Sequence, residues 1–222
     1  MYFDWRLREK CVNGELSYNP DSYTSIADYF GCEGKGEDRL NKYEYNPLTK
    51  RFTIDQLNTQ DDSAEVEKFC NSLNFKKIVP QLIVKPVVNP LDKKRKGVTA
   101  KDKERLEEWI KVRDSVRNSS IMATVWDTVW DTSARGTVWE AVRNTVWDSV
   151  SERTDRDTVY AYLSSFFQLD EWKNIKRKKG EPPFQPCVDL WESGLIPSFD
   201  GKTWRLHGDE GKILYKRTKQ RR

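Results

Sequence analysis

A four-residue unit recurs between Val112 and Val150 and constrains the fold more than any other feature of the chain. Each unit has Val first, then Trp or Arg, then a short acid or amide, and usually Ser or Thr last. Four residues of α-helix advance about 400°, so Val and its follower occupy one half of the helix and the polar pair the other. In a strand, Val and the acid would share a face and leave no apolar side. The repeat therefore predicts amphipathic helices.

Successive valines drift by about 40° per unit, so one straight helix cannot hold them against a flat core. Breaks at 118–120 and 133–136 divide the region, which predicts three short helices over about 100–117, 121–133 and 137–151, packed as antiparallel neighbours. Ser119 or Ser120 and Thr137 are expected as N-caps, with Gly136 as a terminator. In the last helix, the spacing of Trp139, Arg143 and Trp147 predicts a guanidinium held between two indoles.

The first 90 residues predict an α+β unit. Alternation around Phe3, a hairpin turn at Asn13-Gly14, a short helix ending at Gly31 and a second hairpin spanning Tyr43 to Ile54 all carry local signals.

A helix should follow from a capping box of Asp62 and Glu65. Its apolar face would carry Val66, Phe69, Cys70 and Leu73, with Cys70 as a small core residue. Residues 78–88 are β-branched but contain Pro80 and Pro86, which favours an edge strand or an extended crossing.

The remaining chain predicts a helical repeat region over 98–169, a C-terminal part over 170–216 and a basic tail over 217–222. Capping pairs at Thr99 with Asp102 and at Thr154 with Asp157 open helices. A short helix from about Gln185 should end at Gly194, followed by three strands of an antiparallel β-meander near 195–199, 202–206 and 212–216. The predicted fold class is α+β, with a central bundle of short amphipathic helices.

Composition limits the functional classes. Hydrophobic residues make up 36% and charged residues 33%, and no apolar run nears the roughly 18 residues that a spanning helix needs, so no membrane role is expected. The start lacks the features of a secretory signal, which predicts a cytoplasmic protein. Four scattered cysteines and one histidine argue against a metal site, and no cofactor motif is present. We therefore expect no cofactor.

Positive charge is concentrated at the C-terminal end. From Trp172 onward there are 13 Lys or Arg against six Asp or Glu, whereas the whole chain carries only +4. Such basic segments suit a phosphate backbone, although a solvated loop and tail is the simpler interpretation. The candidate nucleic-acid-binding residues are Lys176, Arg177, Lys178, Lys179, Arg205, Lys216, Arg217, Lys219, Arg221 and Arg222.

The tetrapeptide units occur together with the segments 188–192 (VDLWE) and 194–208 (GLIPSFDGKTWRLHG). In this combination the chain resembles a loose group of uncharacterised microbial and phage proteins, in which tandem Val-Trp-Asp-Ser-type units precede a similar C-terminal block. The resemblance covers roughly residues 105–208. It implies a phage or mobile-element setting, hence a host cytoplasm or a virion, and it carries no activity or site residues.

No catalytic motif is present, and His207 is a lone histidine in a turn that has no partner visible in sequence. The tryptophans 126, 130, 139 and 147 suit either a stacking platform for single-stranded nucleic acid or buried packing between helices, and the helical spacing favours burial. The leading hypothesis is a non-catalytic macromolecular interaction protein, not an enzyme, with a protein partner or a second copy. The alternative is nucleic-acid binding through the basic C-terminal block.

Overall fold

The computed structural model describes two compact units of mixed α+β structure, Met1–Pro80 and Gln81–Arg222. Each unit contains a small antiparallel sheet, and helices accompany both, which confirms the predicted fold class. The described residues are Tyr23, Ala27, Tyr29, Gly31, 39–116, 120–130, 132, 134–150, 154–176 and 180–218.

The first unit is built on a hairpin of β1, Lys42–Asn46, and β2, Arg51–Gln56, as predicted. The helices α1, Ser63–Ser72, and α2, Phe75–Ile78, follow. Of the expected first helix, Tyr23, Ala27 and Tyr29 are helical and Gly31 has a φ of +69°. The strand near Phe3 and the turn at Asn13-Gly14 lie outside the described residues.

The capping box predicted for α1 is wrong. The Asp62 side chain makes no cap hydrogen bond. Its carboxylate instead accepts hydrogen bonds from the Tyr43 hydroxyl and from Asn41 Nδ2, because the neighbouring hairpin competes for the same oxygen. The predicted apolar face is also only partly covered: Phe69 is 50% exposed and Cys70 is half-buried instead of lying in a core.

The segment after Pro80 is an extended crossing, in agreement with the prolines it contains. It pairs through a single bridge between Leu82 and Phe167. Further along, Val88 donates its backbone N–H to the Tyr162 hydroxyl over 2.8 Å, and its carbonyl accepts from Trp191 Nε1 over 2.8 Å. Side chains thus satisfy backbone groups that the short pairing leaves open.

Three repeat helices are present: α3, Ala100–Ser115; α4, Ile121–Val129; and α5, Arg135–Val142. The helix α5 continues through a π-helical segment, Arg143–Trp147, and a last turn, Asp148–Val150. Thr99 and Asp102 form the predicted capping box of α3, and Ser120 caps α4 as predicted. The prediction for the third start is wrong: Ala134 already has helical φ and ψ, so Gly136 and Thr137 lie inside α5.

The valines of the repeat are buried from first to last. None is more than 9% exposed, and those of α4 and α5 are at 0%. In an ideal α-helix, Val150 would lie about 120° around the axis from Val138. A π turn contains more residues than an α turn, so within it a four-residue step falls short of a full rotation and turns the stripe back. The π segment thus keeps Val146 and Val150 in the core.

The repeat helices do not pack as antiparallel neighbours, so that prediction is wrong. The helix α4 packs mainly on α6, Arg156–Ser164, and α3 packs on α7, Gln185–Glu192. Every residue of α6 from Thr158 to Ser164 is buried, so other parts of the protein pack against this helix on all sides. Its N-cap is Asp155, whose carboxylate accepts from the Thr158 N–H over 2.9 Å, and not the predicted Thr154.

The C-terminal sheet is the predicted meander. Its strands are β3, Ile196–Phe199; β4, Thr203–His207; and β5, Ile213–Thr218, in that spatial order. The helix α7 ends at Glu192, Gly194 follows it with a φ of +89°, and Leu195 donates its N–H to the Leu190 carbonyl over 2.9 Å. This is a Schellman-type ending, which requires the left-handed conformation that glycine adopts readily.

Candidate interaction surface

Four tryptophans of the repeat form a continuous row on the second unit. Ring centroids are 5.9 Å apart from Trp130 to Trp126, 6.0 Å from Trp126 to Trp139 and 5.7 Å from Trp139 to Trp147, all in edge-to-face arrangement. Tyr160 of α6, which is only 8% exposed, lies beneath and contacts Trp126 and Trp139. We call these four residues the tryptophan row.

The tryptophan row is only partly buried, and Trp130 is 52% exposed. The prediction that these side chains are packed in the core is therefore wrong for Trp130 and incomplete for the other three, which are half-buried. The reason is rotational, because the residue after each valine lies about 100° further around the helix. With valine aimed at the core, the indole lies at the margin.

One arginine is stacked on the row. The Arg135 guanidinium lies 4.1 Å from the centroid of Trp130 and 5.2 Å from that of Trp126, and its Nη1 is buried with no hydrogen-bond acceptor among the described residues. Ring contact therefore holds this group. The prediction for Arg143 is wrong: Trp139 and Trp147 contact each other directly, and the Arg143 side chain is exposed.

An open cavity of about 490 Å³ adjoins the Trp130 end of the row. It is lined by Asp127, Trp130, Lys173 and Asn174, so its walls carry both signs of charge beside an indole. The Lys173 backbone N–H donates to Thr128 Oγ1 over 3.0 Å, which fixes this loop to α4. A carboxylate and an ammonium group therefore lie next to Trp130, the most exposed ring of the row.

The predicted basic residues are only partly brought together. Arg205 and Lys216 are directly opposite each other on β4 and β5, whereas Arg217 lies on the other face and forms an ion pair with Glu107 of α3. Arg205 is itself paired with Asp200, and Lys176 is exposed in a loop. The other six predicted residues, Arg177, Lys178, Lys179, Lys219, Arg221 and Arg222, lie outside the described part of the chain.

The carboxylate of Asp200 is the most strongly stabilised acid near these basic groups. Backbone N–H groups of Thr203 and Lys202 and the Arg205 guanidinium donate to it, and together they lower its pKa to about 2. Arg205 is thus partly neutralised by its own chain. This weakens the case for a phosphate site centred on it.

His207 has a structural role in the C-terminal sheet. Its Nδ1 lies 3.1 Å from the Gly211 carbonyl, which can only accept, so Nδ1 carries the proton. In the neutral ring Nε2 then accepts from the Ser198 hydroxyl, 2.7 Å away in the neighbouring strand. The ring is 8% exposed, and these bonds fasten β3, β4 and the following turn to one another.

Arg113 joins more elements than its place in the repeat suggested. Its Nε donates to Asp157 over 3.1 Å, and its guanidinium lies 5.3 Å from the Phe199 ring and 5.1 Å from the Trp204 ring. Asp155 also lies close to this guanidinium, yet burial raises the pKa of its carboxyl because desolvation outweighs the attraction. Arg113 therefore links α3 to the C-terminal sheet and to the start of α6.

Sequence reasoning missed Arg135, Asp127, Lys173 and Asn174 as parts of this surface. Arg135 is the first residue of α5, and Lys173 is more than 40 residues from Asp127. Neither relation has a helical spacing that would signal it. Tertiary packing alone brings these side chains beside Trp130.

Neither metal binding nor membrane crossing gains support from the described residues. Among them, no group of three His, Cys, Asp or Glu side chains is placed to hold a metal ion. No helix in the same part of the chain has the length and apolar character needed to span a bilayer. Comparison with protein-family models, with curated proteins and with solved structures finds no match.

Proposed function

We propose that this chain is a non-catalytic interaction protein that binds another protein chain through the tryptophan row. The observation that carries the proposal is Trp130, which is 52% exposed at one end of four contacting indoles and has a guanidinium stacked on it. Tryptophan and arginine are enriched among the residues that dominate binding energy in protein interfaces.

The contrast between valine and tryptophan supports this proposal. A buried tryptophan removes roughly 150–250 Å² from water, so packing alone would favour covering these rings. Single exposed apolar side chains need no explanation, but a contiguous patch marks an interaction site. The valines already fill the core, which leaves the indoles free to serve a partner.

The setting that we propose is the cytoplasm of a phage host or a virion. It rests on the resemblance of the tetrapeptide units and the C-terminal block to microbial and phage proteins, and on no other observation.

The proposal is tested by capture experiments with three immobilised forms of the full chain. The wild type and Phe69→Ala should retain the same proteins from a lysate of the source organism, and Trp130→Ala should lose them. Phe69 is the matched control because its exposure, 50%, nearly equals that of Trp130, while it lies on α1 of the other unit. Equal retention by all three forms would contradict a binding role for the row.

Nucleic-acid binding is the second candidate, favoured by the adjacent Arg205 and Lys216 on one sheet face. It predicts salt-sensitive retention of single-stranded DNA or RNA that weakens in Lys216→Ala. Against it, the exposed carboxylates of Asp127 and Asp148 flank the row and repel a phosphate backbone. Filter binding at low salt that retains no oligonucleotide would eliminate this candidate.

A further inference from the structure

We propose that the tryptophan row is occupied by the same row of a second copy of this chain, in a two-fold dimer. In this dimer, Arg143 of one copy contacts Asp127 and Trp130 of the other. The proposal rests on the proposed function and specifies its partner. A two-fold interface is isologous, so one complementary pair of positions supplies two equivalent contacts.

The row has two chemically different ends. At one end, Trp130 and Asp127 line the same open cavity. At the other end, Arg143 and Trp147 are the first and last residues of the π segment, close to one turn apart and therefore on the same side. Reversing a second row against the first brings the Arg143 end of each copy to the Asp127 end of the other.

Each end presents a group suited to the other. Arg143 is exposed and has no ring or ion-pair partner among the described residues, and Asp127 is an exposed carboxylate. Elsewhere in the chain, Arg113 and Arg135 each stack over two aromatic rings. Trp130 already carries Arg135 on its ring, so the Asp127 charge is what allows a second guanidinium to approach.

The charge pattern favours a second copy over a partner of one sign. The exposed charged residues along the row carry both signs: Asp127, Glu140 and Asp148 are acidic, and Arg143 and, at the open cavity, Lys173 are basic. A nucleic acid or a strongly acidic peptide meets repulsion from the three acids, and a strongly basic peptide meets repulsion from the two basic residues. A reversed copy of the row sets Arg143 of each chain against Asp127 of the other.

The test is the solution mass of the full chain, measured by light scattering and by sedimentation over a wide concentration range. The wild type should reach twice the chain mass of 26.2 kDa. Asp127→Arg and Arg143→Asp should each weaken the dimer by at least about tenfold. The double variant D127R/R143D should recover the dimer, because the reversed charges again face each other across the interface.

Controls separate the interface from general damage. Phe69→Ala and Lys202→Asp change an exposed ring and an exposed charge outside the row and should leave the dimer intact. Circular dichroism must show that every variant is folded; a single variant that unfolds is replaced by the milder Asp127→Asn or Arg143→Gln, for which the same weakening is expected.

The proposal is overturned by a wild type that stays monomeric at its highest soluble concentration. It is also overturned by a folded double variant that stays monomeric, or by a doubled mass that disappears on nuclease treatment. A monomer that still captures another protein in a Trp130-dependent way would contradict the dimer and support the proposed function. A monomer that captures nothing would remove both.

Discussion

The π segment of the last repeat helix predicts an unusual tolerance to deletion. A π turn in an α-helix is equivalent to one surplus residue. Removing the exposed Thr145 from Arg143–Trp147 should therefore give a regular α-helix in which Val146 and Val150 remain buried. A deletion in a regular α-helix has no surplus residue to remove, so it rotates the rest of the helix by about 100° relative to the part before it.

The geometry supports this expectation quantitatively. Trp139 and Trp147 are eight residues apart, which in a plain α-helix places them about 80° apart. They nevertheless contact each other with centroids at 5.7 Å. After the deletion they would be seven residues apart, within about 20° of one line, so their contact is retained. We expect the free energy of unfolding to change by less than about 1 kcal/mol.

The matched control is deletion of the exposed Glu108 from α3, which is α-helical throughout. It turns Trp109, fully buried against Phe184, away from the core together with Ile110 and Val112. Losing one buried tryptophan alone costs about 3–5 kcal/mol, a large part of the 5–15 kcal/mol that stabilises a typical domain.

Urea unfolding followed by circular dichroism compares the two deletions with the wild type. The deletion of Thr145 should keep the midpoint and the slope, and the deletion of Glu108 should lower the midpoint strongly or prevent folding. Equal destabilisation by both deletions would show that the π segment does not hold a surplus residue that keeps the valines in register.

Three further predictions concern single side chains. NMR titration should give Asp200 a pKa of about 2. Arg205→Gln should raise this pKa, while the two backbone N–H bonds still keep it below 3.8. Because the pKa is lowered on folding, the ionised carboxylate stabilises the folded protein above about pH 4, and this contribution is lost as the pH falls toward 2. Gly194→Ala should cost more than about 1 kcal/mol in urea unfolding, since φ is +89° and the added Cβ would lie 2.8 Å from a side-chain carbon, whereas Gly136→Ala, in open space on a helix, should gain about 0.5–1 kcal/mol. Thr99→Ala removes the hydroxyl that accepts from the Asp102 N–H in the α3 capping box, while the backbone N–H of residue 99 can still donate to Asp102. It should lower the free energy of unfolding by about 1 kcal/mol; an unchanged urea midpoint would contradict the role of that cap.

Local signals gave the elements of the second unit with few errors. The Val spacing predicted three helices, Thr99 and Ser120 marked two of their starts, and Gly194 marked the end of α7. These features depend on residues within one or two turns of one another. Such neighbours meet whatever the rest of the chain does, so a sequence pattern is enough.

Two predictions failed because a different contact formed in place of the expected one. Asp62 was expected to cap its own helix, but Tyr43 and Asn41 of the hairpin region take its carboxylate. Arg143 was expected between two indoles, but the π turn closes the gap between those rings. In the first case a residue of another element took the side chain, and in the second the two rings met each other and left the guanidinium exposed.

For the candidate surface, too, local features could be predicted from the sequence and long-range contacts could not. The sequence predicted that the tryptophans share a helix face, and it also supplied the acids and amides beside them. It did not predict the order of the row, the position of Arg135 or the exposure of Trp130. Those depend on how α4 and α5 meet over Tyr160 of α6, a residue 30 positions beyond Trp130.

By itself, the sequence determined that the repeat forms helices with a valine side and a polar side, because this four-residue pattern gives an apolar side in a helix and none in a strand. The tertiary structure decided what each side meets. It packed α3 on α7 and α4 on α6, with α4 and α5 meeting through Trp126 and Trp139, and it used a π turn to cancel the drift of the valines. Burial depends on which surface covers a helix, and that surface comes from residues far along the chain. Periodicity therefore fixed the helix, and packing chose which tryptophan stays exposed.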